Sequence, residues 1–209
     1  MDALVKQYQH ISTSESTKDH IASLANENTF TVTTGHQLNL FTGPLFFLYK
    51  IISVINLAEQ LKGAYPENNF VPVYWMATED HDFEEIQYFN FKGAKMSWNR
   101  DAVGGVGRLS NEGLEVVLEE FSQHLGTSKN ALKLKKLFKN SYLKHGTLTE
   151  ATRFLANELF ADYGLVIVDG DDTGLKRLFI PFVEDELLNQ TAHNEVLETI
   201  DKLGEHYKI

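Results

Sequence analysis

The run FVPVYWMA at residues 70–77 restricts the fold more than any other part of this chain. It is nearly continuous in apolar residues and has strand length, without the alternation that a half-solvated strand shows. Such a strand is buried on both faces, so it needs neighbours in its own sheet and helices above and below. Its end is abruptly acidic, because Thr78-Glu79-Asp80-His81-Asp82-Phe83-Glu84-Glu85 follows at once.

The flanking segments supply both neighbours and helices. Residues 19–28 have helix-forming composition, after a polar stretch at 12–18 that reads as a loop. TFTVTT at 29–34 is rich in β-branched residues and predicts a strand that stops at Gly35. From Gly43-Pro44, with proline in the favoured first helical position, Leu45, Leu48, Ile51, Ile52, Ile55, Ala58 and Leu61 recur at helical spacing. That helix is expected to end at Gly63. Phe46, Phe47, Val54 and Leu57 place apolar groups on its other sides, so it is covered on more than one face.

Beyond the apolar strand, short β-like pieces with Gly93, Gly104, Gly105 and Gly107 across residues 88–110 predict a hairpin or small insertion. Residues 114–125 and 131–143 read as amphipathic helices. Thr147 and Glu150 have capping-box spacing ahead of a helix to about Tyr163. A compact strand at 165–168 then breaks at Asp169-Gly170-Asp171-Asp172, with a helix after it. Strands alternating with helices in this order predict an α/β fold, a doubly wound parallel sheet with an inserted hairpin and helical segment at about residues 88–147.

At 209 residues and 43% hydrophobic content the chain can bury one domain's core. Nineteen Lys and Arg against 29 Asp and Glu give a formal net charge of -10, which repels nucleic-acid phosphates and anionic membrane surfaces. Neither is an expected partner. With no cysteine, disulfides and thiolate metal sites are excluded. The opening MDALVKQYQH has no apolar targeting core, and the longest apolar run, residues 44–58, is broken by Lys50 and Asn56. A cytoplasmic location is expected.

In an open parallel sheet, ligands bind beyond the carboxyl ends of the strands, and three such ends carry polar clusters. At the first, Thr34, Gly35, His36 and Gln37 are expected in a strand-to-helix connection, where backbone amides favour an anion and His36 can donate to a phosphate or carboxylate. The competing structural reading has Gly35 permitting a tight turn and His36 capping a helix. At the second, Glu79, Asp80, His81 and Asp82 can bind a metal, orient an ammonium group or supply a general base. The competing reading is Thr78 as a helix cap with acids complementing the positive helix end. Were side chains to alternate there, Glu79 and His81 would face one way and Asp80 and Asp82 the other. At the third end, Asp169, Asp171 and Asp172 can hold ribose hydroxyls, an amine or hydrated magnesium, or an aspartate can simply cap the next helix. Lys50 is a lone cation in an apolar helix, either snorkelling to water or serving a bound anion. Lys95-Met96-Ser97-Trp98 has the look of a nucleotidyl-transferring phosphate loop but lacks its second lysine and is read as coincidence.

The runs TGHQLNLFTGPLFFLYK, residues 34–50, and VPVYWMATEDHDFEEI, residues 71–86, together resemble the N-terminal part of the bacillithiol biosynthesis cysteine-adding enzyme family, a family of cysteine ligases. The resemblance implies a Rossmann-like core over residues 1–209 related to nucleotidyltransferases, with connecting insertions, and a C-terminal coiled coil that lies outside this sequence. It implies ligation of cysteine to the amine of glucosaminyl-malate, and it points to ATP or another nucleotide with magnesium as cofactor. Gly35, His36 and Gln37 fall where the related nucleotidyltransferases hold a two-histidine motif, of which only His36 is present. Glu79, Asp80, His81 and Asp82 match the family's acidic motif.

Amide formation needs an activated carboxyl group and an unprotonated amine, hence an anion site and a nearby base. The expected catalytic residues are His36, near a phosphate or developing oxyanion, and Asp80 or His81, deprotonating the amine. Lys50, Arg100 and Arg108 are the cations available to malate carboxylates. The same cluster in a metal-dependent hydrolase would bind metal, and in a non-catalytic nucleotide- or sugar-binding module would only recognise its ligand. Val196, Leu197, Ile200 and Leu203 form an apolar stripe on a final helix. Self-association is expected from it, and the resemblance, with its C-terminal part outside this sequence, implies inactivity of this portion alone.

Overall fold

A computed structural model describes residues 2–208. The chain divides into two compact units, Met1–Asp171 and Asp172–Ile209. The first opens with helices α1 (Asp2–Tyr8) and α2 (Glu15–Ser23), followed by β1 (Thr29–Gln37), α3 (Phe46–Ala64) and β2 (Asn69–Ala77). A one-turn helix, α4 (Phe83–Ile86), leads into a hairpin of β3 (Tyr88–Phe91) and β4 (Ala94–Ser97). A 3₁₀ turn at Val106–Arg108, α5 (Leu114–Leu125), α6 (Lys129–Leu143) and α7 (Leu148–Phe160) precede β5 (Val166–Asp169).

The sheet is parallel, in the order β1-β2-β5. The apolar run is its central strand, and the two sides of that strand enter different clusters. Val71 and Val73 pack with Leu4, Ile21 and Val166 on the α1 and α2 side. Tyr74 and Met76 join Phe47, Ile51, Leu155 and Ile167 on the α3 and α7 side. Helices therefore cover both faces, which is why β2 carries no polar alternation. Met76 is fully buried, and truncating such a residue to alanine costs about 2–5 kcal/mol.

Local signals explain most boundaries. Thr147 accepts from the Glu150 amide while the Glu150 carboxylate returns to the Thr147 amide, so the predicted capping box starts α7. Three expectations need correction. The polar stretch at 12–18 is not all loop: Ser14 accepts from the Thr17 amide at 3.1 Å, and α2 begins at Glu15. Pro44 is not the first residue of α3. Phe41 and Thr42 hold left-handed φ values of 52° and 66°, and the helix begins at Phe46 and runs one residue past Gly63. Most consequentially, β1 does not stop at Gly35. Pairing with β2 continues through Gly35↔Trp75, His36↔Met76 and Gln37↔Ala77.

Residues 88–147 contain the β3–β4 hairpin, α5 and α6, and they share a core with the sheet. Phe41, on the segment from β1 to α3, is its meeting point, with ring centroids 5.5 Å from Phe89, 5.5 Å from Phe121, 5.3 Å from Phe138 and 4.6 Å from Tyr142. The second unit consists of α8 (Thr173–Asn189), capped by Asp172, and α9 (Thr191–Gly204). Neither helix has a buried residue, and Val196, Leu197, Ile200 and Leu203 are exposed along α9. Among the described residues no helix is long and apolar enough to cross a membrane.

Candidate functional site

A cavity of about 550 Å³ lies at the carboxyl edge of β1 and β2. Of the residues predicted from sequence, Gly35, His36, Gln37 and Lys50 line it, joined by Asn39 and Glu85. Gly35 is a strand residue at which an added Cβ would meet only the Trp75 carbonyl, at 4.0 Å. Neither the tight-turn reading nor the helix-capping reading of Gly35-His36 holds, because both residues pair with β2 as part of β1 and do not form a strand-to-helix connection.

His36 is half-buried against α3, its ring meeting the Phe47 ring edge-on at 5.7 Å and the Phe46 ring at 6.2 Å. Nδ1 lies 2.7 Å from the Gln37 carbonyl oxygen. A carbonyl can only accept, so Nδ1 carries the hydrogen and the neutral ring keeps its lone pair on Nε2. Burial pushes the imidazole pKa below its ordinary value, and the Lys50 charge acts in the same direction, against the opposing effect of the Gln37 bond. The ring is thus neutral near pH 7 and presents an acceptor. Lys50 reaches the cavity from α3, with Nζ 5.3 Å from the centroid of the Phe46 ring.

The acidic motif is a turn, so the strand-like alternation of its side chains does not apply. Asp80 accepts from Gln37 Nε2 at 2.9 Å through Oδ2 and from the Asp82 amide at 3.0 Å through Oδ1. These bonds, the Asp82 amide foremost, hold the Asp80 carboxyl below the usual carboxylate range. Asp80 therefore adjoins the cavity through Gln37 without lining it. The helix cap is Asp82 and not Thr78: Asp82 accepts from the Glu85 amide at 3.3 Å. His81 and Glu79 are exposed, and a Cβ on Gly170 would come within 2.5 Å of the Glu79 carboxylate.

Thr34 is buried in β1, outside the cavity. The carboxylates of the third strand end are engaged in fastening the structure. Thr78 donates to Asp169, and the Asp171 amide donates to Thr78 Oγ1 at 2.9 Å and Asp169 Oδ1 at 3.0 Å. Arg108 grips Asp171 with both arms, Nε at 2.5 Å and Nη2 at 2.9 Å. Arg100 instead donates to the Ser110 carbonyl at 2.7 Å. Lys95-Met96-Ser97 forms β4 with Met96 in the core, consistent with its reading as a chance likeness. Among the described residues no group of three or more His, Asp or Glu side chains could hold a metal ion.

Asn39 and Glu85 were not anticipated. Asn39 lies beyond the predicted strand end, and Glu85 reads as one more acid in the helix that Asp82 caps. Only the close approach of the β1 end to the turn after β2 brings them to one cavity.

The comparisons with known proteins concentrate on one family. A family model described as "Bacillithiol biosynthesis BshC, N-terminal Rossmann-like domain" matches residues 1–209. A Flavobacterium johnsoniae protein named "Putative cysteine ligase BshC" is 64% identical over 206 residues, covering 99% of this chain and 39% of that protein. Its namesake from Flavobacterium psychrophilum is 60% identical with the same coverage, and that of Bacillus cereus is 31% identical, covering 91% of this chain and 37% of the relative. The chain thus spans about 39% of the length of the two Flavobacterium relatives. From its match along the whole sequence and from its parallel α/β sheet, the chain belongs to the BshC family and corresponds to its N-terminal Rossmann-like domain.

Proposed function

We propose that the protein carrying this domain is a ligase of bacillithiol biosynthesis, joining the carboxyl group of cysteine to the amine of glucosaminyl-malate, and that the cavity at the β1 edge is its reaction site. The observation that carries this reading is the pairing of a neutral His36, its Nε2 lone pair free of the Gln37 bond, with the Lys50 cation in one cavity of a cysteine-ligase-family domain.

Amide formation makes a C–N bond, breaks the bond from the carboxyl carbon to its activating group, and releases one proton from the attacking nitrogen. His36 Nε2 is the group placed to take that proton, because its low pKa keeps the ring unprotonated at neutral pH. This exchanges the roles expected from sequence: His36 becomes the base, and Lys50 the partner of the phosphate or developing oxyanion. Asp80, held ionised, is a poor base. It positions Gln37 and keeps negative charge beside the cavity, where an approaching ammonium is attracted. ATP or another nucleotide with magnesium would supply the activated carboxyl, with Lys50 the residue of this chain to meet its phosphate oxygens.

Full-length protein incubated with cysteine, glucosaminyl-malate and magnesium–ATP is expected to yield the condensed thiol, read by mass spectrometry, and cells lacking the gene are expected to lose it. Saturable binding of glucosaminyl-malate with no product under any nucleotide would instead indicate a recognition module.

A further inference from the structure

Among the described residues lining the cavity at the β1 edge, Lys50 carries the one ammonium and Glu85 the one carboxylate. No ion pair joins the two, and neither side chain pairs with another charged group among the described residues. Glu85 is exposed, and its only hydrogen bond to the Asp82 side chain is made by its backbone amide. The neighbouring acids differ. Both oxygens of Asp80 are engaged, by Gln37 and by the Asp82 amide, and Glu84 does not line the cavity.

Both charges stand on anchored backbone. Lys50 lies on α3 between the fully buried Phe47 and Ile51. Glu85 lies on α4 between the buried Phe83 and Ile86, and the Phe83 ring meets the Trp98 ring edge-on at 5.4 Å. The cavity is therefore bipolar, with a cationic wall on one helix and an anionic wall on another.

A ligand that fills it displaces water from both charges, and a charge stripped of water needs a counter-charge. A simple anion would satisfy Lys50 and leave Glu85 unmet, and a simple amine would do the reverse. A molecule with an ammonium and a carboxylate meets both. Of the two substrates in the ligase reading, glucosaminyl-malate must surrender its ammonium proton to react, whereas the α-ammonium of cysteine takes no part. Held as an ammonium by a carboxylate, that group also has no lone pair with which to attack a second activated cysteine.

We propose that Glu85 binds the α-ammonium of the amino-acid substrate while Lys50 meets its carboxyl end, so that the cavity selects a zwitterionic α-amino acid. This rests on the ligase reading for the identity of the amino acid, but binding alone tests it, whether or not amide is formed.

Isothermal titration of the full-length protein with L-cysteine, with 3-mercaptopropionate, which lacks the ammonium, and with cysteamine, which lacks the carboxylate, reads each charge separately. L-cysteine is expected to bind about tenfold or more tightly than either analogue, as charged hydrogen bonds of this kind warrant. Glu85→Gln, at an exposed position, is expected to weaken L-cysteine about tenfold and to leave 3-mercaptopropionate unchanged. Lys50→Met is expected to weaken L-cysteine and 3-mercaptopropionate and to spare cysteamine. Glu85→Ala should repeat the glutamine result and serves if that variant does not fold. Absent condensation with this pattern intact would sink the ligase reading alone. No binding of L-cysteine to the unaltered protein, unchanged L-cysteine affinity in Glu85→Gln, equal weakening of L-cysteine and 3-mercaptopropionate by it, or loss of glucosaminyl-malate affinity instead, overturns the proposal.

Discussion

Gln37 donates its side-chain amide to Asp80 at 2.9 Å, which fastens the cavity-lining end of β1 to the acidic turn that follows β2. The two residues lie 43 positions apart, and parallel pairing of Gln37 with Ala77 brings them together. Function assigned to either is therefore shared. In full-length protein, Gln37→Ala and Asp80→Asn are each expected to lower kcat/KM for ligation about tenfold. The double variant is expected to lose little more than either single one, because residues in one hydrogen-bonded unit are not additive. Fully additive losses would separate their roles.

His36 links the cavity to pH. Its folded pKa lies below the ordinary histidine value of 6.5, so between these two values the unfolded chain binds more protons than the folded one. Stability should therefore rise with pH through that window, be complete above 6.5, and be lost as pH falls toward the folded pKa. His36→Gln should flatten this part of the profile. Denaturant midpoints across the acidic range measure it, and an equal slope in both proteins would show that another group is responsible.

Gly107 sets how closely the insertion approaches the end of β2. A Cβ there would lie 2.7 Å from Thr78 Cβ and 2.8 Å from the Thr78 carbonyl, and would also strike Thr149 Oγ1. The Gly107 amide donates to that same Thr78 carbonyl at 3.0 Å. Gly107→Ala is expected to destabilise by about 1–3 kcal/mol, as overpacking does. The urea midpoint should fall with an unchanged slope. Alanine at Gly63, where nothing lies within 4 Å of the added carbon, is the control.

Much of this arrangement was legible in the sequence because it is written locally. The apolar run of β2 identified a doubly covered strand, and Thr147 with Glu150 identified a helix start. Where β1 ends was not legible, because residues 35–37 owe their extended state to pairing with β2 and not to their own β propensity. That difference moved His36 from an anion-binding connection to a strand edge. The acidic motif was visible as a motif, but its division of labour was not. Asp82 caps a helix, Asp80 holds Gln37, and Asp169 and Asp171 fasten strand ends, assignments that depend on distant partners such as Arg108. The place of Asn39 in the cavity had no sequence signal, since it lies beyond the predicted strand end.

The most direct measurement is the rate at which full-length protein condenses cysteine with glucosaminyl-malate, compared with its His36→Gln variant at saturating substrate and neutral pH. If His36 Nε2 takes the proton from the attacking amine, the variant should fold and bind normally yet turn over about a hundredfold more slowly or worse, as loss of a general base does. The rate of the unaltered protein should in turn fall along an acid limb centred below the ordinary histidine pKa. Equal rates in the two proteins would contradict placing the reaction at the β1 edge.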